Sequence, residues 1–246
     1  GIYSTMQSSD AYSGRLVYYG DVTGDDMQAV SSTKRVANYY RFNFTKDDNP
    51  SSHWSYLYSI IQNCNLILMN IDKLAIDEED KAYRDDLKGE ALAIRGLALF
   101  DLTRIFGYPY LKDKGASLGV PIIEGLSTID SKPTRNTVAQ CYTKIIDDLT
   151  QSISLLGEKF NKGKINKWGA MVLLSRVYLY KGENANALKM AGDAITGAEK
   201  NKYALWTNED YPTAWGEDAS ASKPGEVLFE IVNLTTDSPG KESMGY

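Results

Sequence analysis

A serine between glycines, a single histidine, two separated cysteines and several acid pairs are the residues of this chain whose types and spacing could do chemistry. Gly115-Ala116-Ser117-Leu118-Gly119 fits the GxSxG spacing of a nucleophile elbow, which holds a serine on a sharp turn between a strand and a helix. Val120-Pro121 follows it here, and the residue before a proline is pushed away from helical backbone, so a helix start is disfavoured. His53, the one available imidazole, opens a different helical segment. Gly157 to Ile165 (GEKFNKGKI) resembles a phosphate-binding loop, but its first glycine is one position out and Ile165 stands where a Mg²⁺-binding hydroxyl is required. It reads as a turn between helices. Cys64 and Cys141 sit in apolar helical segments without CxxC or Cys/His spacing, which points to buried, inert thiols and leaves no zinc site.

The acids divide into three groups. Asp21, Asp25 and Asp26 crowd one turn, yet they lack the alternation, central glycine and distal glutamate of a calcium loop, and a solvated loop or helix cap is the better reading. Asp85/Asp86 and Asp147/Asp148 are adjacent in sequence on helices rather than facing across a cleft as glycosidase carboxylates do, so solvated helix faces are expected. Glu90 and Arg95 differ, because they interrupt an apolar helix; they are expected to be partly buried and paired structurally. No cofactor and no metal is implied, and no catalytic residue is assigned.

Composition narrows the class further. The 246 residues are enough to bury a substantial core, and 43% hydrophobic with 24% charged residues suits a soluble globular protein. A net charge of -5 without any basic stripe argues against nucleic acid as a partner, since phosphate backbones are neutralised by clustered Lys and Arg. No apolar run is long enough to span a membrane. Tyrosine is over-represented, 17 against 6 phenylalanines, which suits surfaces that must be both wet and adhesive.

The elements that must position these residues are helical. Leu87 to Pro109 carries apolar residues at Leu87, Ala91, Ile94, Ala98, Leu102 and Ile105, with a second stripe at Leu92, Leu99, Phe100 and Phe106. A helix covered on more than one side is central to its fold. With its acidic lead-in from Asp77 it runs to about 29 residues, roughly 44 Å, before Gly107 and Pro109 stop it. An earlier helix spans His53 to Leu74, with Ser51 or Ser52 as its cap. After a long connection from Tyr108 to Pro133, with an extended piece at Val120 to Ile123, Thr137 and Gln140 form a capping box for a helix ending at Gly157. Asn166 caps a helix over Lys167 to Tyr180, Gly182 stops it, and a helix over Ala185 to Lys200 follows. In this last pair Leu174, Tyr178, Gly182, Ala187, Ala191 and Ala194 fall at tetratricopeptide offsets. The expected fold is mainly α, an α-solenoid of tetratricopeptide-like hairpins with long decorated loops and a few short strands, Glu226 to Val232 among them.

These segments resemble a known family. GEALAIRGLALFDLTRIFGYP (Gly89 to Pro109) is similar to the signature helix of the SusD/RagB family. HWSYLYSIIQNCNLIL, with Asn65 inside it, resembles that family's preceding helix, and TRNTVAQCYTKIIDDL, NKWGAMVLLSRVYLYKGENANAL and EVLFEI match later family segments in order. The resemblance implies one SusD-like helical-repeat domain over 1–246, as part of a longer chain. It further implies a surface-exposed outer-membrane lipoprotein of Bacteroidetes-type bacteria that captures a glycan without chemistry and hands it to a SusC-like, TonB-dependent outer-membrane transporter. The lipid anchor would be N-terminal and outside these residues. Family sites lie on loops beside the repeats, which nominates Arg35, Tyr39, Tyr40, Arg41 and Asn43 in an early loop and Trp206, Tyr211 and Trp215 in the Tyr203 to Gly225 loop as ligand-binding residues. Aromatic faces there would stack on pyranose rings while planar polar groups bind hydroxyls. The competing reading is an intracellular tetratricopeptide-type scaffold that binds a peptide or protein partner in its groove; a lipoprotein signal upstream of Gly1 separates the two.

Overall fold

The structure, a computed structural model, describes the chain except residues 25, 31–35, 46–50, 129, 162, 215–224 and 234–246. It divides into two compact units, a smaller one of residues 3–59 with the segment from 231 onward and a larger one of residues 60–230. The α helices of the described residues are α1 (Ile2–Met6), α2 (Arg15–Thr23), α3 (Ala37–Tyr40), α4 (Ser51–Asn70), α5 (Lys81–Phe106), α6 (Val138–Leu155), α7 (Lys167–Lys181), α8 (Asn184–Lys200) and α9 (Tyr211–Ala214).

In the larger unit α5 packs on α6, α6 on α7 and α7 on α8, so these helices stack in chain order. Every residue of α5 from Gly89 to Thr103 is buried, including Glu90, Arg95 and Asp101. That accounts for its two apolar stripes, since a helix enclosed on all sides needs no polar face. The α5 and α6 axes approach closely because glycine lies at the crossing. A Cβ on Gly96 would come within 3.1 Å of Leu149 Cγ, and one on Gly89 within 2.8 Å of Leu156 Cγ. Both pairs are separated by the same seven residues in opposite directions along the chain, which is an antiparallel register.

Capping matches the sequence reading at α6 and α7. Thr137 accepts from Gln140 N while Gln140 Oε1 accepts from Thr137 N, a reciprocal capping box. Asn166 Oδ1 accepts from Gly169 N, and Gly182 closes α7 in left-handed backbone at φ 83°. Only two residues, Gly182 and Glu183, then precede α8, whose Ala187, Ala194 and Ala198 are buried. The Trp168 ring lies so close to Gly197 that a Cβ there would be 2.0 Å from Cζ3. A small-residue face on α8 is therefore what admits the indole.

The structure corrects three expectations. α4 already includes Ser51, so neither Ser51 nor Ser52 precedes the helix as its cap, and α4 ends at Asn70 with a separate 3₁₀ turn over Ile71–Lys73. Strands are absent among the described residues; the one β feature is an isolated antiparallel bridge between Leu118 and Thr137. Extended backbone becomes strand only if a neighbour pairs with it, and here side chains take that place. Ile122 N donates to Asn136 Oδ1 at 2.9 Å, the carbonyls of Ile123 and Gly125 accept from Asn65 Nδ2 at 2.8 and 2.9 Å, and Gln7 Nε2 donates to Val232 O at 2.8 Å. Third, Asp148 is fully buried rather than solvated.

Asp148 is buried because Arg95 needs it. Arg95 Nε and Nη2 donate to the two carboxylate oxygens of Asp148 at 2.8 and 2.7 Å, and Nη1 donates to Asn65 Oδ1 at 2.9 Å. Burial works against the guanidinium charge, but the hydrogen bonds and charge of Asp148 outweigh it and hold the Arg95 pKa above its ordinary value. Lys144 Nζ adds a contact to Asp148 Oδ1 at 3.2 Å and another to Glu124 Oε1 at 2.6 Å. Glu90 is likewise buried, with Lys164 Nζ at 3.4 Å. The two cysteines are fully buried; loss of solvation pushes the Cys64 thiol up to about 12, and Cys141 Sγ donates to Val120 O at 3.4 Å.

In the smaller unit His53 is completely buried, with Nδ1 3.1 Å from Asp10 O and no hydrogen bond at Nε2. The Tyr19 and Tyr39 rings lie 5.4 and 6.3 Å from the imidazole. Burial lowers the His53 pKa, with the contact and charge of Asp10 opposing it.

Two outcomes follow. Asp148→Ala strands a buried guanidinium and should cost about 3–5 kcal/mol in denaturant unfolding, whereas replacing Arg95 and Asp148 together by Met and Leu should recover most of that loss. Because the folded state holds His53 below the unfolded value of about 6.5, the unfolded chain takes up the proton first, and stability should fall as pH drops below about 6.5. Melting temperatures of His53→Phe measured across this range should lose that part of the slope.

Candidate functional site

The first set of nominated residues belongs to the smaller unit. α3 ends in a tight turn in which Phe42 N donates to Tyr39 O at 3.0 Å and Asn43 N to Asn38 O at 3.1 Å. Phe42 takes up left-handed backbone, φ 52°, which turns the chain and leaves its ring 68% exposed. Tyr39 points the other way. Its ring is 8% exposed, meets Tyr19 edge-on at 5.3 Å and lies 5.9 Å from Phe44. A ring so enclosed serves packing, and burial raises its hydroxyl pKa. Tyr40, Arg41 and Asn43 are exposed on the same turn. Arg35 lies outside the described residues.

The second set belongs to the larger unit, where a buried tyrosine fixes the start of the loop. Tyr203 OH accepts from Asn166 Nδ2 at 2.7 Å, so Asn166 caps α7 with one side-chain atom and anchors the loop with the other. The Tyr203 ring meets Phe160 edge-on at 5.8 Å, and both pack with Trp168, Met171, Ala194 and Ala198. Beyond this anchor Leu205 is 83% exposed and Trp206 is half-buried. Thr207 and Asp210 then bond reciprocally, Thr207 Oγ1 donating to Asp210 Oδ2 at 2.8 Å and Asp210 N to Thr207 Oγ1 at 3.2 Å, which starts the short α9.

That turn sets Tyr211 against Trp206. Their ring centroids are 6.1 Å apart with planes at 71°, and Tyr211 is 52% exposed. Gly225 backs the indole so closely that a Cβ there would be 2.1 Å from Trp206 Nε1. Trp206 N donates to Glu226 Oε2 at 3.2 Å, tying both ends of the loop together. The result is two aromatic walls nearly at right angles, with the Thr207, Asp210 and Glu226 polar groups beside them. Trp215 lies outside the described residues.

Of the nominated residues, the structure joins Tyr39, Tyr40, Arg41 and Asn43 in one turn and Trp206 with Tyr211 in one corner. Phe42 is an exposed aromatic that was not nominated, although it stands between Arg41 and Asn43. Its signal in the sequence is its place between Arg41 and Asn43 in that early loop; its exposure depends on a positive φ that residue type does not announce. The Gly115 to Gly119 stretch is a turn, with Gly115 at φ 78° and Ser117 Oγ donating to Asp113. Among the described residues no group of His, Cys, Asp and Glu is arranged to hold a metal ion, and no helix is long and apolar enough to cross a membrane.

Comparison with known proteins places these elements. The SusD-like family described as "Starch-binding associating with outer membrane" matches residues 3–179. A solved Bacteroides vulgatus protein, described as a "Putative sugar binding protein", is 81% identical, with a TM-score of 0.96 over 100% of this chain and 55% of its own. A SusD superfamily protein of the same species is 41% identical, with a TM-score of 0.91 and the same coverage of both chains. A "SusD-like protein" of Bacteroides ovatus is 27% identical over 150 residues, 60% of this chain and 26% of its own length. The chain thus spans about half the length of the solved relatives. Matched over most of its length and sharing its helical architecture with those relatives, the chain belongs to the SusD-like family.

Proposed function

We propose that this chain contributes to a non-enzymatic, surface-exposed outer-membrane protein that captures oligosaccharides and delivers them to a SusC-like, TonB-dependent transporter. The observation that carries the reading is the Trp206–Tyr211 corner on a polar loop. A pyranose has a less polar face of C–H groups and a rim of hydroxyls. It can lie on the indole with its edge against the tyrosine, while neighbouring carboxylates and hydroxyls accept from the rim. The family's description as starch-binding and outer-membrane-associated, and a close relative named for sugar binding, support the same class of ligand. Tyr40, Arg41 and Asn43 offer a second exposed aromatic with hydrogen-bonding groups, to which Phe42 adds a ring. Arg35 and Trp215 complete the proposed set.

Affinity electrophoresis through gels containing soluble starch, xyloglucan or mucin tests this. Truncating a central tryptophan anchor typically costs about 2 kcal/mol or more, about thirtyfold in affinity. Trp206→Ala should therefore abolish retention on whichever glycan holds the wild type, with little change in melting temperature. Gly225→Ala keeps every aromatic but drives a Cβ into the indole, and it should weaken retention in the same gel. Wild-type retention in both variants and in Tyr211→Ala would overturn this site.

A further inference from the structure

An open groove of about 460 Å³ lies between the first turns of α5 and the end of α6. Its walls are Ala82, Tyr83, Asp85 and Asp86 on one side and Ser154 and Leu155 on the other. Tyr83 is 61% exposed, so most of this lining side chain is open to solvent. The polar groups have been partly used by the protein. Asp85 Oδ1 accepts from Arg84 Nε and Nη2 at 3.2 and 3.0 Å, Asp86 Oδ1 accepts from Gly157 N at 2.8 Å, and Ser154 Oγ donates to Gln151 O at 2.7 Å. These bonds hold the side chains in place while leaving Asp85 Oδ2, Asp86 Oδ2 and the Ser154 lone pairs free to accept. Arg84 also offsets one of the two carboxylate charges.

We propose that this groove is a second carbohydrate subsite, taking one neutral hexopyranose unit of a longer polysaccharide. Its chemistry is acceptor-rich: an exposed tyrosine whose hydroxyl both donates and accepts, the apolar side chains of Ala82 and Leu155, and carboxylate and hydroxyl acceptors. A ligand must bring several donors and a flat apolar side, as a pyranose with vicinal hydroxyls does. A simple cation would find one uncompensated carboxylate and an apolar wall, which is weak complementarity. The two helices that carry the groove, α5 and α6, pack on each other, which holds its two sides in register. The inference rests on the glycan-capture reading, and it adds that a long polymer engages two places on one chain and gains by avidity.

The test compares wild type, Trp206→Ala, Tyr83→Ala, Asp86→Asn and the Trp206→Ala/Tyr83→Ala double variant on gels of soluble starch, xyloglucan and mucin, with calorimetry against a short oligosaccharide of the retained polymer. Tyr83→Ala and Asp86→Asn should each weaken polymer retention about three- to tenfold and leave short-oligosaccharide affinity at the Trp206 loop unchanged. Asp86→Asn keeps an acceptor for Gly157 N, so the fold is preserved. If Trp206→Ala loses binding while Tyr83→Ala and Asp86→Asn retain polymer like wild type, the groove is overturned and the capture reading stands. Lack of wild-type retention on every glycan removes both. Tyr83-dependent retention seen only on cationic chitosan and lost in 0.5 M salt, about a 4–5 Å screening length, would overturn the neutral-sugar assignment.

Discussion

The larger unit depends on one buried guanidinium. Arg95 lies in the enclosed span of α5, where an unpaired charge is untenable, and its three donating nitrogens reach two different helices: Asp148 on α6 and Asn65 on α4. A buried ion pair adds little net stability compared with apolar residues of the same shape. Its effect is to fix register. Asp148 meets Arg95 at one place along the α5–α6 crossing, directly beside the Gly96–Leu149 approach. Asn65 passes the constraint outward, because its amide nitrogen holds the carbonyls of Ile123 and Gly125 while its oxygen holds Arg95.

The same economy recurs at the loops. Asn166 caps a helix and anchors Tyr203; Asn136 and Asn65 take the place of a neighbouring strand for the 122–125 segment; Arg135 donates to Gly119 O at 2.6 Å and Phe106 O at 2.7 Å. Loops held by side chains in this way can vary their exposed residues without disturbing the scaffold, because the anchors are elsewhere. The half-buried Trp206 and the exposed Tyr211 are two such residues, set beyond a buried Tyr203. The proposed binding residues and the residues of the helical core are therefore different ones, which suits a family whose members share a scaffold.

Periodicity made the long helices legible, and so did the capping box at Thr137 and the glycine stop at Gly182. The two stripes on α5 foretold its enclosure. Asp148 was less legible: next to Asp147 it looks like a solvated pair, and only the position of Arg95 on a neighbouring helix explains why one acid turns inward. The apolar runs at Val120 and Glu226 read as strands because residue type favours extended backbone, but a strand also needs a partner, which a single chain segment cannot reveal. Among the binding candidates, the sequence showed where aromatics cluster. It did not show that Tyr39 faces inward and Phe42 outward, which a single positive φ decides.

The two-residue link between α7 and α8 sets the order in which the stack can assemble. Closing that link confines almost no chain, whereas α5 and α6 must meet across residues 107–137. By the slow logarithmic growth of closure entropy the longer loop costs about 2 kcal/mol more. The α7–α8 hairpin, with Trp168 seated on Gly197, is thus the natural first nucleus, and the Arg95 contact is the late step that locks the remaining helices. A chain made from its N-terminus carries this most readily formed hairpin behind the Arg95–Asp148 contact, which spans 53 residues. It would then have to keep the Arg95 helix soluble until Asp148 arrives.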